Sequence, residues 1–138
     1  MNRGDFPVIR HTFRKPERLV SRKIIEQLIA KGRSVQGNAF RIVWSVHALG
    51  VPFPVQIAFS VPKRNFRSAV DRNRIKRLMR EYYRQNKEEI YSLVKGKDLQ
   101  VALLLVYTGK TIPGYQDVVQ KMSQTLKHFV EDFQKHSG

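Results

Sequence analysis

The chain contains no cysteine. Disulfide staples and thiolate metal sites are therefore excluded. It has no apolar run near the roughly 18 residues that a membrane-spanning helix needs. The segment Met1–Lys15 has no apolar core of the kind a secretory signal carries. No internal repeat and no low-complexity tract occurs. Acidic side chains are scarce: Asp and Glu number 11 against 26 Lys and Arg, a formal charge of +15 over 138 residues. These absences predict a cytoplasmic protein with no membrane partner. What remains is substantial. Hydrophobic residues make up 41% of the chain, so it can build one core and is not a disordered basic tail. A globular domain with so large a positive excess attracts a polyanion.

Protein-borne chemistry is also missing from the pattern. There is no Gly-rich phosphate loop and no nucleophile elbow. His11, His47, His128 and His136 have no Cys or His partner at a metal-ligand spacing. His128 with Glu131 and Asp132 could be a metal set, but a plain helical surface trio is the better reading. A nuclease doing its own chemistry would gather carboxylates around two metal ions. Here they scatter at Asp71, Glu81, Glu88, Glu89, Asp98 and Asp117. No catalytic residue, metal ligand or protein-bound cofactor is predicted.

Hydrophobic periodicity divides the chain into elements. Residues 1–15 show no period and carry Arg3, Arg10, Arg14 and Lys15, predicting a basic flexible arm ahead of a single domain over 16–138. Pro16–Lys31 predicts a helix, with Pro16 in its first turn, Val20, Ile24, Ile25, Leu28 and Ile29 at helical spacing, and Gly32 as its stop. Ala39–Ala48 and Val55–Val61 predict two strands. The prolines at 52 and 54 break the stretch between them. The two strands are expected to pair as an antiparallel hairpin with a loose loop. Pro62–Arg67 is a short basic loop. A helix follows over 69–87, extending toward Val94. Leu99–Tyr107 is nearly all apolar and predicts a central strand buried on both faces. Tyr115–Phe133 predicts a last helix, with Val118, Val119, Met122, Leu126, Phe129 and Val130 inward. The order helix, strand, strand, helix, strand, helix is an α+β sandwich of one sheet with helices packed on it.

The helix after residue 68 concentrates the charge. Ser68, three residues before Asp71, has the spacing of a capping box. Asp71 also suits the positive end of the helix dipole. At about 100° per residue, Ile75, Leu78, Met79 and Tyr82 form one stripe. Lys76, Arg77, Arg80, Arg84 and Lys87 form another, with Asn73 beside them and Arg72 and Arg74 flanking the first turn. Between Lys63 and Lys87 stand ten basic and two acidic residues, a net of +8. Glu81 alone is placed to neutralise the stripe from within the helix, and one carboxylate cannot pair with five cations. Arginine outnumbers lysine, which suits bidentate phosphate contacts. Two alternatives stay open. A solvated charged face is one, although such faces usually alternate sign. A helix in a DNA major groove is the other, although neither a helix-turn-helix partner nor a dimer seam is legible.

The stretch Phe59-Ser60-Val61-Pro62-Lys63-Arg64, followed by Ala69-Val70-Asp71-Arg72-Asn73-Arg74-Ile75-Lys76-Arg77-Leu78-Met79-Arg80-Glu81, resembles the protein component of bacterial ribonuclease P. The order of elements agrees over roughly residues 17–133. The resemblance implies a fold like the second domain of ribosomal protein S5, with a left-handed βαβ crossover. It implies an enzyme subunit. Its partners would be the catalytic RNA subunit of ribonuclease P and precursor tRNA, and the holoenzyme would remove the 5′ leader in a Mg²⁺-dependent reaction. The Mg²⁺ is expected to act through the RNA. By position, Arg72, Asn73, Arg74, Lys76, Arg77, Arg80 and Arg84 would meet that RNA, with Lys63, Arg64 and Arg67 adding phosphate contacts. The family holds the leader in a cleft between the first helix and the sheet, and usually places aromatics on that helix. Ile25 and Ile29 stand there instead, which weakens base stacking at those positions. Phe40 matches a family aromatic, and Trp44 lies one residue beyond another, so either could stack on a leader base. A core role stays open for Phe40, Ile25 and Ile29. Two other classes remain: a structural RNA-binding protein without a role in cleavage, and an autonomous nuclease.

Overall fold

The computed structural model describes residues 12–137. Along them run a 3-10 turn at Lys15–Glu17, then α1 (Arg22–Lys31), β1 (Arg33–Gln36), β2 (Phe40–Val46), β3 (Val55–Ser60), α2 (Ala69–Asn86), α3 (Glu88–Gly96), β4 (Val101–Tyr107) and α4 (Tyr115–His136). The fold is α+β, and among the described residues the strands form one mixed sheet in the order β1-β2-β4-β3.

β4 takes a central place because all seven of its residues are apolar and all are buried. Side chains alternate across a strand, so such a run must be covered on both faces. Val101, Leu103, Leu105 and Tyr107 join the larger core, with Ile75, Met79 and Tyr83 of α2, Ile90 and Val94 of α3, and Met122 and Phe129 of α4. Ala102, Leu104 and Val106 point the other way, into a smaller core with Leu19, Leu28 and the half-buried Ile24 and Ile25 around α1. The sheet therefore separates α1 from α2, α3 and α4.

The hairpin expected between the second and third strands does not form. β2 pairs antiparallel with β4 (Phe40 opposite Tyr107), and β3 pairs parallel with it (Val55 opposite Val101). β4 inserts between them because burying both its faces outweighs the local pairing. The hairpin partner of β2 is β1, with Arg33 opposite Trp44. β1 reads Arg-Ser-Val-Gln and carries no apolar alternation, so periodicity does not reveal it.

The first helix is also shorter than its periodicity suggests. Arg18 forms a parallel bridge with Ile57, and the Leu19 N–H donates to the Ile57 carbonyl at 2.9 Å. The chain is thus extended until Ser21, whose Oγ caps α1 by accepting from the Ile24 N–H at 3.3 Å. Val20 is 79% exposed and Ile29 70% exposed, so neither belongs to the inner stripe. Gly32 does end α1, for reasons of space: a Cβ there would meet the Leu28 carbonyl oxygen and Val43 Cγ1 at 2.6 Å.

Residues 1–11 of the expected basic arm, His11 included, lie outside the described residues. Residues 12–15 belong to the body. Phe13 packs edge-on against Phe59 (5.8 Å) and Tyr83 (5.9 Å).

Candidate nucleic-acid interface

Ser68 begins α2 as expected, its Oγ accepting from the Asp71 N–H at 3.4 Å. Ile75, Met79, Tyr82 and Tyr83 are buried, and this anchors the helix to the sheet. The rest of its circumference is left for Asn73, Arg74, Arg77 and Arg80, all exposed, with Lys76 half-buried at the margin. The preceding loop turns at Lys63–Asn65 and is pinned by Phe66, which is buried and stacked 6.0 Å from Tyr107. Lys63, Arg64 and Arg67 are exposed around that pin. Arg72 is half-buried and faces backward. Its Nη1 donates to the carbonyls of Phe66 (2.7 Å) and Arg67 (2.9 Å), tying the basic loop to the helix start. The loop cations and the helix cations therefore share one rigid surface.

Two members of the predicted cationic stripe behave differently. Arg84 donates through Nη2 to Glu81 at 2.7 Å, so part of its charge is neutralised within the helix. This hydrogen bond holds the Glu81 carboxyl below its ordinary value, and Gln85 adds to the effect. Lys87, expected on the surface, is only 2% exposed. α2 stops at Asn86, and the Lys87 side chain turns inward to Glu17 and the Thr12 carbonyl. The helical angle is correct for a stripe, but at this position the segment around Glu17 covers it.

A cation outside the helix joins this surface. Arg18, Lys76 and Arg80 line a groove of about 330 Å³ with Phe13, Val20 and Phe59. Partial desolvation in the groove holds the Arg80 guanidinium below its ordinary value, and the charges of Arg18 and Arg77 add to the effect. No periodicity flags Arg18. Its place follows from the bridge to Ile57, a tertiary contact.

The other side of the sheet corrects the predicted aromatic sites. Phe40 (0% exposed) and Trp44 (2%) point toward α4, away from α1. Phe40 packs 5.2 Å from Tyr107. Trp44 packs edge-on against Phe129 (5.6 Å) and Phe133 (5.5 Å), and its Nε1–H donates to Asp132 at 2.9 Å. Neither ring can stack on a base from the α1 side. Strand alternation is the reason: Val43, one residue from Trp44, is the position that faces α1. Ile25 is half-buried in the smaller core, and Ile29 is exposed on α1. On the sheet that α1 only partly covers, Gln36, Arg41, Val106 and Ser60 stand in register across the four strands. Arg41 is exposed there, a cation that strand propensity alone did not single out.

Among the described residues no three His, Asp or Glu side chains come together as a set that could hold a metal ion. Asp132 is occupied by Arg33, whose two hydrogen bonds of 3.0 Å hold its carboxyl below the usual range with help from Trp44. Among the described residues, too, no helix is long and apolar enough to cross a membrane.

Known proteins share the sequence pattern and the fold of this chain. A family model described as Ribonuclease P matches residues 13–130. The ribonuclease P protein component of Chlorobium phaeobacteroides is 32% identical over 126 residues, covering 84% of this chain and 86% of that protein. That of Syntrophus aciditrophicus is 38% identical over 115 residues, covering 83% and 88%. Among solved structures, the ribonuclease P protein of Staphylococcus aureus superposes with a TM-score of 0.64 at 20% identity, covering 80% of this chain and 93% of that one. The Thermotoga maritima protein superposes with a TM-score of 0.60 at 22% identity, covering 80% and 96%.

Proposed function

The chain belongs to the ribonuclease P protein family, and from that premise we propose that it binds the catalytic RNA of ribonuclease P and the 5′ leader of precursor tRNA, and assists removal of the leader. The observation that supports this reading is the one-sided surface of α2 and its preceding loop. Lys63, Arg64, Arg67, Arg74, Arg77 and Arg80 are exposed there, and among the described residues none of them has a carboxylate partner. Guanidinium groups held on a rigid helix meet phosphate oxygens bidentately, and each contact releases condensed counterions. Lys76 and Asn73 add donors on the same face. Arg72 orders the loop, and Arg84 contributes less because Glu81 already holds it.

The leader is proposed to lie along the α1 side of the sheet, where Arg41 and Ser60 offer polar contacts and Ile25 and Ile29 an apolar margin. Base stacking on Phe40 or Trp44 is not part of this reading. Mg²⁺ is proposed to act on the RNA, where it would stabilise charge at the scissile phosphate. The protein would lower the repulsion between leader and catalytic RNA and hold the leader in place. A cytoplasmic location follows from this role.

Reconstitution tests the proposal. The purified chain is added to its catalytic RNA at low Mg²⁺ and precursor tRNA cleavage is followed. Stimulation is expected. RNA binding without stimulation would reduce the role to a structural one, and cleavage by the protein alone would reassign the chemistry to the chain.

A further inference from the structure

The 13–20 segment forms a second wall facing α2. It is held firmly: the Leu19 N–H donates to the Ile57 carbonyl at 2.9 Å, Gln56 Nε2 donates to the Pro16 carbonyl at 2.9 Å, and Glu17 is buried against Lys87 and Tyr91. Between the two walls runs the groove of Arg18, Lys76 and Arg80. Its floor has two aromatic rings in contact, Phe13 and Phe59, 5.8 Å apart. One guanidinium lies over each: Arg18 Cζ is 5.6 Å from the centre of Phe13, and Arg80 Cζ is 6.0 Å from that of Phe59. A guanidinium over a ring keeps its N–H edge free for an oxyanion. Among the described residues none of the three cations has a carboxylate partner. Like charges brought together on fixed supports repel, and a bound anion relieves that repulsion. Because the walls are already ordered, little conformational freedom is lost on binding.

We propose that Arg18, Lys76 and Arg80 form a seat for a backbone phosphate of RNA in the groove between the 13–20 segment and α2. The seat rests on the RNA-binding reading given above and adds to it a residue outside the basic helix and a two-walled site. The phosphate comes from the catalytic RNA or from the leader, and the two sources are separable.

The test compares the full-length protein with Arg18→Ala and with Lys127→Ala, a control on exposed α4 surface. Affinity is measured across a salt series in two arms: the protein with catalytic RNA, and the holoenzyme with precursor tRNA bearing or lacking its leader. Circular dichroism confirms that each variant is folded. Arg18→Ala is expected to flatten the slope of log affinity against log salt by about one unit, and Lys127→Ala to leave it unchanged. Flattening in the first arm assigns the phosphate to the catalytic RNA; flattening only with the leader-bearing precursor assigns it to the leader. An unchanged slope in both arms overturns the seat. So does equal flattening by Lys127→Ala, which would reduce the effect to overall charge. If the wild-type protein binds RNA with the Arg18-dependent slope but fails to stimulate cleavage, the functional reading fails and the seat stands.

Discussion

At the scale of single residues, the pair formed by Lys87 and Glu17 brings two charges into the interior, where both side chains are at most 2% exposed. Desolvating two ions is costly unless their remaining hydrogen-bonding capacity is met. Here it is met. Glu17 accepts from Lys87, from the Tyr91 hydroxyl at 2.6 Å and from the Arg14 N–H at 2.8 Å. The Lys87 ammonium also lies 5.0 Å from the centre of the Tyr91 ring and donates to the Thr12 carbonyl. Burial, with Tyr83 and Glu17 alongside, pushes the Tyr91 hydroxyl well above its ordinary value, so it remains a donor. Lys87→Ala leaves Glu17 buried without its partner and is expected to destabilise the fold by about 3–5 kcal/mol. Replacing both, Glu17→Leu with Lys87→Met, should recover most of that loss. Urea unfolding of the wild type and the two variants decides it: a cost of Lys87→Ala below about 1 kcal/mol would mean the pair is solvated. Spacing along the sequence put Lys87 among the surface cations. Only the packing of a segment 70 residues away puts it inside.

At the scale of elements, α2 joins a buried stripe to a charged one, and its start sets how both are aimed. The Ser68 hydroxyl satisfies one of the free N–H groups of the first turn. Ser68→Ala is expected to cost about 1 kcal/mol of stability and lower the melting temperature by several degrees. The exposed cations should keep their place, because Ile75 and Met79 still anchor the helix. A calorimetric scan with a parallel RNA-binding measurement checks both halves, and a tenfold loss of affinity would show that the cap also positions the interface. The helix, its cap and its inner face were legible because a period of 3.6 is local. β1 was not, since an edge strand of four mostly polar residues has no apolar pattern to display. The pairing of β2 and β3 with β4 is hidden for a related reason: neighbouring strands pair by default, but β4 is the segment that can be buried on both faces.

For the whole molecule, the +15 charge is less informative than its distribution. The loop at 63–67 and the outer face of α2 hold one block of it, and Arg18 extends that block across the β3 edge. Arg77→Ala combined with Arg80→Ala is therefore expected to flatten the salt dependence of RNA affinity by about one to two units of slope. Titrations between low and physiological salt measure it directly, and an unchanged slope would mean those side chains do not meet phosphate.

The class of the fold, the central strand, the basic helix with its cap and the polyanionic kind of partner are legible in the linear chain, because each follows from local period, local charge or a contiguous motif. The tertiary structure alone decided the strand order, the burial of Phe40, Trp44 and Lys87, and the placing of Arg18 beside Arg80. These depend on which distant segments compete for the same buried face, and a linear pattern does not record that competition.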